Sequence, residues 1–450
     1  MKIQRNKNAI QLSDHFTYKK LLRFCVSPIV MMVFTSIYGV VDGLFVSNYV
    51  GKTSFASVNL VMPFIMVLGG TGFMIGTGGS ALVARTLGEG DRERANCYFT
   101  MMVKLTAICG IALSVIGIVF MRQVAFFLGA TEAMIGECVT YGRVLLLTNA
   151  AFMLQNVFQT FLATAEKPKL GLAVMVAAGV TNMALDALFI AGFRWGVAGA
   201  ALATGLSECI GGLLPLLYFL RPNSSLLRLK KTRMEFRVLA KACANGSSEL
   251  VTNLSGSLVS MLYNFQLMRF AGEDGVAAYG VIMYVQFIFV AVFIGYTIGT
   301  APIVGYHYGA GNHKELKNML VKSLLLMGTA GVCMLLLAQT LAAPLSRIFV
   351  GYDPELFAMT RHALGIFAVS FVLAGHSIFT SSFFTALSNG GVSAAISFLR
   401  TLVFQTLSVL VLPTVLGVDG IWWAITVAEI FAFLISLAFL LAKRRKYKYF

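Results

Sequence analysis

The sequence predicts an all-α polytopic membrane protein: twelve transmembrane helices in two six-helix lobes, related by a parallel pseudo-two-fold axis. Three observations predict it. Apolar residues make up 58% of the 450 residues and charged residues only 12%, about half the charged share of a soluble domain. The apolar residues gather in runs of about twenty or more, each long enough to cross the hydrocarbon core as a helix. The second half of the chain repeats the first at a constant offset.

The runs place spans at 21–47, 55–82, 98–121, 138–163, 169–193 and 197–220, then at 240–270, 276–304, 320–343, 359–386, 394–416 and 420–442. The first comes after a polar stretch, Met1 to Lys20, and is too long for the core of a signal peptide, so it is expected to remain as a span. Pro28, Pro63 and Pro302 in spans 1, 2 and 8 remove backbone donors and permit bends. Gly69-Gly70 and the GTGGS run (76–80) let span 2 approach a neighbour closely. A short turn, Gly192 to Gly196, makes spans 5 and 6 a helical hairpin. Spans 7 and 8 carry MLYNFQLMRF (261–270) and YVQFIFVAVFIGY (284–296), in which Tyr263, Asn264, Gln266 and Gln286 could line a cavity for flat, greasy ligands. Only the connection 221–239 is both long and polar. It divides an N-lobe (1–220) from a C-lobe (240–450).

The net charge of +16 does not describe a nucleic-acid binder, because no soluble basic domain holds it. Twenty-six of the 35 Lys and Arg fall in the N-terminal stretch (Lys2, Arg5 and Lys7 among them), the loops after spans 2, 4, 6 and 8, and the C-terminal tail. The other side has six: Lys52, Arg122, Arg194, Arg269, Arg347 and Arg361. Positive residues concentrate in cytoplasmic loops, so both termini are expected in the cytoplasm, and an even span count agrees. The 7 cysteines lie singly in or beside apolar runs, with no CxxC and no disulfide framework.

The shift that carries Gly51 onto Gly272 also carries Gly88 and Gly90 onto Gly309 and Gly311, and Glu208 onto Glu429. The same shift carries Gly196, Val197 and Gly199 onto Gly417, Val418 and Gly420. Six spans per repeat is an even number, so both halves cross in the same sense. That is the parallel repeat of secondary transporters, with the pathway between the halves.

An ionisable side chain within the bilayer costs at least a few kcal/mol and calls for a function or a partner. Asp42, Asp186, Glu208, Glu249 and Glu429 are such residues. Arg143 and Arg400 fall nearer span ends, where snorkelling lowers the cost. Glu208 and Glu429 are repeat-equivalent, which points to a structural role performed twice, through helix-to-helix bonds or pairing with an Arg. Asp42 and Asp186 have Tyr263 and Leu407 as repeat mates, so their carboxylates belong to one lobe only and read as functional. Asn182 lies one turn before Asp186 on the same face, and Thr204 can meet span 5 at a similar depth. Two carboxylates, an amide and a hydroxyl offer hard oxygen ligands that suit Na⁺. The same group can hold a proton.

These residues resemble the multidrug and toxic compound extrusion (MATE) family, in its DinF-like or MepA-like prokaryotic branches. The carrying segments are SPIVMMVFTSIYGVVDGLFVSNYVG (27–51), GTGGSALVARTLGEGDRERAN (76–96), TNMALDALFIAGFRWGVAGAALAT (181–204) and GVDGIWWAITVAEI (417–430). The resemblance implies a V-shaped pair of lobes exporting organic cations in exchange for H⁺ or Na⁺. It also implies a cation site at Asp42, Asn182, Asp186 and Thr204, with Ala200 as a backbone ligand. Glu249 falls in span 7, where the NorM branch places an essential acid, but span 10 offers it no acidic partner. The resulting expectation is an amphipathic-cation antiporter of a prokaryotic cytoplasmic (inner) membrane, monomeric, with no cofactor beyond the coupling ion and no nucleic-acid partner. A lipid-linked oligosaccharide flippase of the same superfamily is the rival within transport; twelve spans and intramembrane acids count against it. A membrane-embedded enzyme is disfavoured: there is no HExxH, no Ser/His/Asp cluster, and His376 stands alone in span 10.

Overall fold

The computed structural model describes residues 10–450, the side chains of Leu44, Ser47, Asn48 and Lys52 excepted. Lys2, Arg5 and Lys7, which count toward the cytoplasmic side, lie outside the described residues. The first lobe is built from α1 (Tyr18–Tyr49), α2 (Lys52–Gly88), α3 (Arg92–Phe127), α4 (Glu132–Thr164), α5 (Pro168–Asp186) and α6 (Gly196–Leu220). The second starts with α7 (Phe236–Gly309) and α8 (His313–Val350). A 3₁₀ turn then joins α9 (Pro354–Phe367) to α10 (Phe371–Ala386). A π-helical segment joins α11 (Gly390–Phe398) to α12 (Gln405–Leu416), and α13 (Val418–Tyr447) completes the lobe. There is no strand among the described residues.

Eleven of these helical stretches are long and apolar enough to cross a membrane, and the twelfth crossing is inside α7. Its 74 residues are interrupted at Gly272, where φ 65° and ψ −155° are open to glycine and strained for other residues. The chain reverses there: Tyr263 and Tyr279 stack with ring centroids 5.2 Å apart and planes 2° from parallel. Gly51, the repeat mate of Gly272, turns the chain between α1 and α2 with φ 108°.

Several helices outrun their apolar cores. The hydropathy run for span 3 is 98–121, but α3 begins at Arg92, because Asp91 caps it by accepting from the Arg94 N–H at 3.0 Å. Asn312 caps α8 in the same way, accepting from the Glu315 N–H at 3.1 Å, ahead of a run that starts at 320. The two caps are repeat mates. Span 5 also runs differently from expectation: α5 ends at Asp186 and continues as a π-helix, Ala187–Gly192.

One end of the molecule gathers the basic connections. The Leu12 N–H donates to Glu166 in the α4–α5 turn (2.8 Å), and the Phe16 N–H to Glu315 at the start of α8 (2.9 Å). The polar connection after α6 is not slack. Leu226 and Leu227 are buried, and the Arg228 and Lys230 N–H groups donate to Asn96 and Thr100 of α3 at 2.8 and 3.0 Å.

The lobes meet along a glycine seam near this basic end. A Cβ on Gly88 would overlap the Tyr306 carbonyl oxygen, and a Cβ on Gly309 would overlap that of Arg85. Each contact is the other displaced by one repeat. Gly78 and Gly246 cross backbone to backbone between α2 and α7, and their repeat mates Gly299 and Cys25 cross in the same way, 2.8 Å from the added Cβ to Sγ. At mid-height Gly70 faces Asn253, and Ser36 donates to the Phe287 carbonyl at 3.2 Å. Farther along, a Cβ on Gly39, Gly43 or Gly256 would meet nothing within 4 Å.

Candidate functional site

The site forms in the first lobe where α1, α5 and α6 pack together. Asp186 is the last residue of α5, at the junction with the π-helix, whose wider turn shifts the facing of the next residues. It is fully buried, and its carboxyl group stands beside that of Asp42 on α1. Asn182, one turn earlier, is 1% exposed. Among the described residues, no basic group acts on either aspartate.

What these atoms lack is informative. Asp42 Oδ1, both Asp186 oxygens, both Asn182 amide atoms and Thr204 Oγ1 are buried with no hydrogen-bond partner among the described residues. Natural proteins leave few such atoms. An ionised carboxylate can only accept, so two carboxyl groups in contact need a proton or a cation between them. The donor set fits either, and a monovalent cation arriving here would find oxygen ligands and a counter-charge already in place.

Of the residues expected at this site, the structure brings Asp42, Asp186 and Asn182 together. Thr204 and Ala200 lie one turn apart on α6, with Ala200 buried and Thr204 making no hydrogen bond to either aspartate. Among the described residues, no group of three or more His, Cys, Asp and Glu is arranged to hold a metal ion.

The repeat-equivalent glutamates meet the two kinds of partner expected of them, an Arg for one and a helix-to-helix hydrogen bond for the other. Glu429 on α13 is 1% exposed and is gripped by Arg400, whose Nη2 and Nε lie 2.7 and 2.9 Å from Oε1 and whose Nε is 3.0 Å from Oε2. Arg400 therefore does not snorkel; it stands in the π-helical segment Leu399–Phe404 and turns inward. Glu208 on α6 has no such partner, because the mate of Arg400 is Gly179. A Cβ there would stand 2.5 Å from the Phe34 ring. Glu208 accepts from the Thr148 hydroxyl at 3.0 Å, its one hydrogen-bond partner among the described residues.

The residues expected to line a second site scatter. Tyr263 is buried against Tyr279, and Gln266 donates to the Val409 carbonyl at 3.1 Å, so both serve the interior of the second lobe. Asn264 is exposed and Gln286 half-buried. Glu249 is half-buried on the turn before Asn253, on the face of α7 that meets α2. Sequence reasoning missed α4, whose Asn149, Gln155, Asn156, Gln159 and Thr160 are all buried. The signal was present: so many amides in one span mark a helix enclosed by its lobe and not by lipid.

The MatE family model matches this chain twice, over residues 28–188 and 250–410, once in each lobe and at nearly the spacing of the internal repeat. The multidrug export protein MepA of Staphylococcus saprophyticus is 23% identical over 92% of this chain and 91% of its own length. The MepA of Staphylococcus haemolyticus is 21% identical over 94% and 93%. Among solved structures, a MATE protein in complex with MaL6 superposes with a TM-score of 0.93 at 22% identity, covering 98% of this chain and 100% of that one. The outward-facing conformation of a multidrug resistance MATE family transporter of the MOP superfamily gives 0.92 at 22%, covering 99% and 100%. The twofold match of the family model, on twelve spans in two lobes, shows that the chain belongs to the MatE family and is a multi-pass membrane protein of the MATE multidrug-efflux transporters.

Proposed function

We propose that the protein is a secondary active antiporter that exports amphipathic organic cations in exchange for H⁺ or Na⁺ by alternating access. It works as a monomer in a prokaryotic cytoplasmic membrane, with both termini in the cytoplasm. The lobes 1–220 and 240–450 move as units joined by 221–239. The basic end is then cytoplasmic. The observation that carries this reading is the Asp42–Asp186 contact, surrounded by unpartnered buried oxygens in one lobe.

The coupling rests on electrostatics. With both carboxylates ionised the pair repels, and the site attracts an organic cation. A proton or Na⁺ between them removes the repulsion and holds α1 against α5. α1 also carries the seam residues Cys25, Pro28 and Ile29, which lie against Gly299 and Gly295 of α7. A shift of α1 is therefore transmitted to the contact between lobes. Drug and ion favour opposite arrangements, and that difference in affinity is the coupling.

Ethidium efflux from cells tests it. Asp42→Asn and Asp186→Asn are each expected to slow efflux by about tenfold or more, as a coupling of a few kcal/mol requires. Wild-type rates in both variants would remove the mechanism. Transport in proteoliposomes with H⁺ and Na⁺ gradients imposed separately identifies the ion.

A further inference from the structure

We infer that Glu208 is a second proton-carrying site of the first lobe, separate from the Asp42–Asp186 pair, so that each exchange cycle moves one more proton than the aspartates alone would move. The inference rests on the antiport reading and adds the number of ions and the identity of one of them.

Four observations carry it. Glu208 is 7% exposed in the interior of the lobe, and no basic side chain among the described residues acts on it. Its repeat mate shows what a permanently charged glutamate at this position requires: Glu429 has Arg400, and the first lobe has Gly179 in its place.

The hydrogen-bond pattern accommodates a proton on Glu208. The Thr148 hydroxyl has one hydrogen, yet two acceptors, the Leu145 carbonyl and Glu208 Oε2, both stand 3.0 Å away. If Glu208 is protonated, Thr148 donates to Leu145 and the carboxyl donates to Thr148. All three groups are then satisfied.

Two buried polar atoms on either side of Glu208 are also left without a partner among the described residues. Gln155, 3% exposed, has Oε1 unpartnered and lies against Gly211, one turn beyond Glu208 on α6. Thr204 Oγ1, one turn before it, is unpartnered as well.

The titratable groups around Glu208 are Asp42 and Tyr38 from α1, Tyr141 from α4 and Cys209 on its own helix. None is a cation, and Asp42 is the charged neighbour that acts on Glu208 directly. Within hydrogen-bond distance the Glu208 carboxyl meets one hydroxyl, a set too poor for Na⁺, which takes several oxygens, as hard cations do. A proton needs only one acceptor. Loading it removes a charge beside Asp42, and its release restores that charge, so both sites favour the same arrangement of the lobe.

The test uses the full chain in proteoliposomes, ethidium as probe, and pH gradients imposed at clamped voltage. At steady state each exchanged proton multiplies the ethidium ratio by about tenfold per pH unit. Glu208→Gln is expected to lower that dependence by one such factor, whichever ion the aspartates take. An unchanged dependence overturns the role of Glu208 and leaves the antiport reading standing. A wild-type protein indifferent to both H⁺ and Na⁺ gradients overturns the antiport reading and this inference together.

If Glu208→Gln does not fold, infrared difference spectra between acid and alkaline buffer decide. The Asp42→Asn/Asp186→Asn protein should keep a protonated-carboxyl band that Thr148→Val shifts. Loss of the band, or a band blind to Thr148→Val, overturns the inference.

Discussion

Arg400 and Glu429 form the clearest charge pair inside the second lobe, with Arg400 15% exposed at its side chain and Glu429 1%. A buried pair adds little net stability, but removing one partner strands the other charge. Arg400→Met is therefore expected to cost about 3–5 kcal/mol, read as thermal unfolding in detergent. Arg400→Met with Glu429→Leu should recover most of the loss. Asp42 and Asp186 were legible in the sequence because a carboxylate within an apolar run is conspicuous. The inward turn of Arg400 was not. It depends on a π-helical segment, which carries no residue signature, and position along the run suggested an end that reaches water. Glu208 and Glu429 were read as equivalent because the repeat is visible only residue by residue. Their partners, Gly179 against Arg400, come from a different span.

Helices in this chain are joined by paired devices, one per repeat. Gly90 and Gly311 take φ of 87° and 65° in the turns before Asp91 and Asn312. Gly88 and Gly309, two residues earlier, instead permit the α2–α7 crossing. The repeated glycines were evident in the sequence, but spacing does not separate a turn glycine from a crossing glycine. Both are simply absent side chains until a neighbour is known. Apolar runs placed twelve crossings correctly and undershot helix ends, since capped turns in water contribute no hydropathy. Substituting Gly88→Val or Gly309→Val is expected to wedge the seam. Cys243, next to the Ala242 crossing, reports it in a protein whose other cysteines are replaced. Its labelling from the basic side should rise about tenfold, the equivalent of ~1.4 kcal/mol. Unaltered labelling would mean that these crossings do not hold the lobes together.

Across the whole molecule, residues 10–17 strap one lobe to the other. Leu12 is tied to Glu166 of the first lobe, and Glu315 of the second receives the Phe16 N–H, His15 Nδ1 at 2.7 Å and Asn318 Nδ2 at 2.7 Å. Lys322 donates to the Phe16 carbonyl at 2.7 Å. Hydrogen bonds to a charged group are worth about 1.5–3 kcal/mol each. Glu315→Ala should therefore collapse hydrogen-exchange protection at Phe16 by at least about tenfold, and retained protection would show that the strap is held elsewhere. Acid should weaken it too. Burial works against the Asp14 carboxylate, but Lys20 at 2.7 Å and the Gln11 N–H at 2.9 Å hold its pKa below the ordinary 3.8. A lowered folded pKa gives support that is present at neutral pH and is lost as pH falls through and below that value. Protection at Gln11 is expected to fall over that acid range. None of this was visible in the sequence, where the N-terminal stretch read only as polar and basic.

Where Gly78, Gly88, Gly246 and Gly309 bring the lobes together, main chain lies on main chain. Contact this close is expected to keep hydronium and sodium from draining between the lobes past the drug-loaded cycle. Enlarging any one of those four residues should make the membrane leaky before it makes the pump slow.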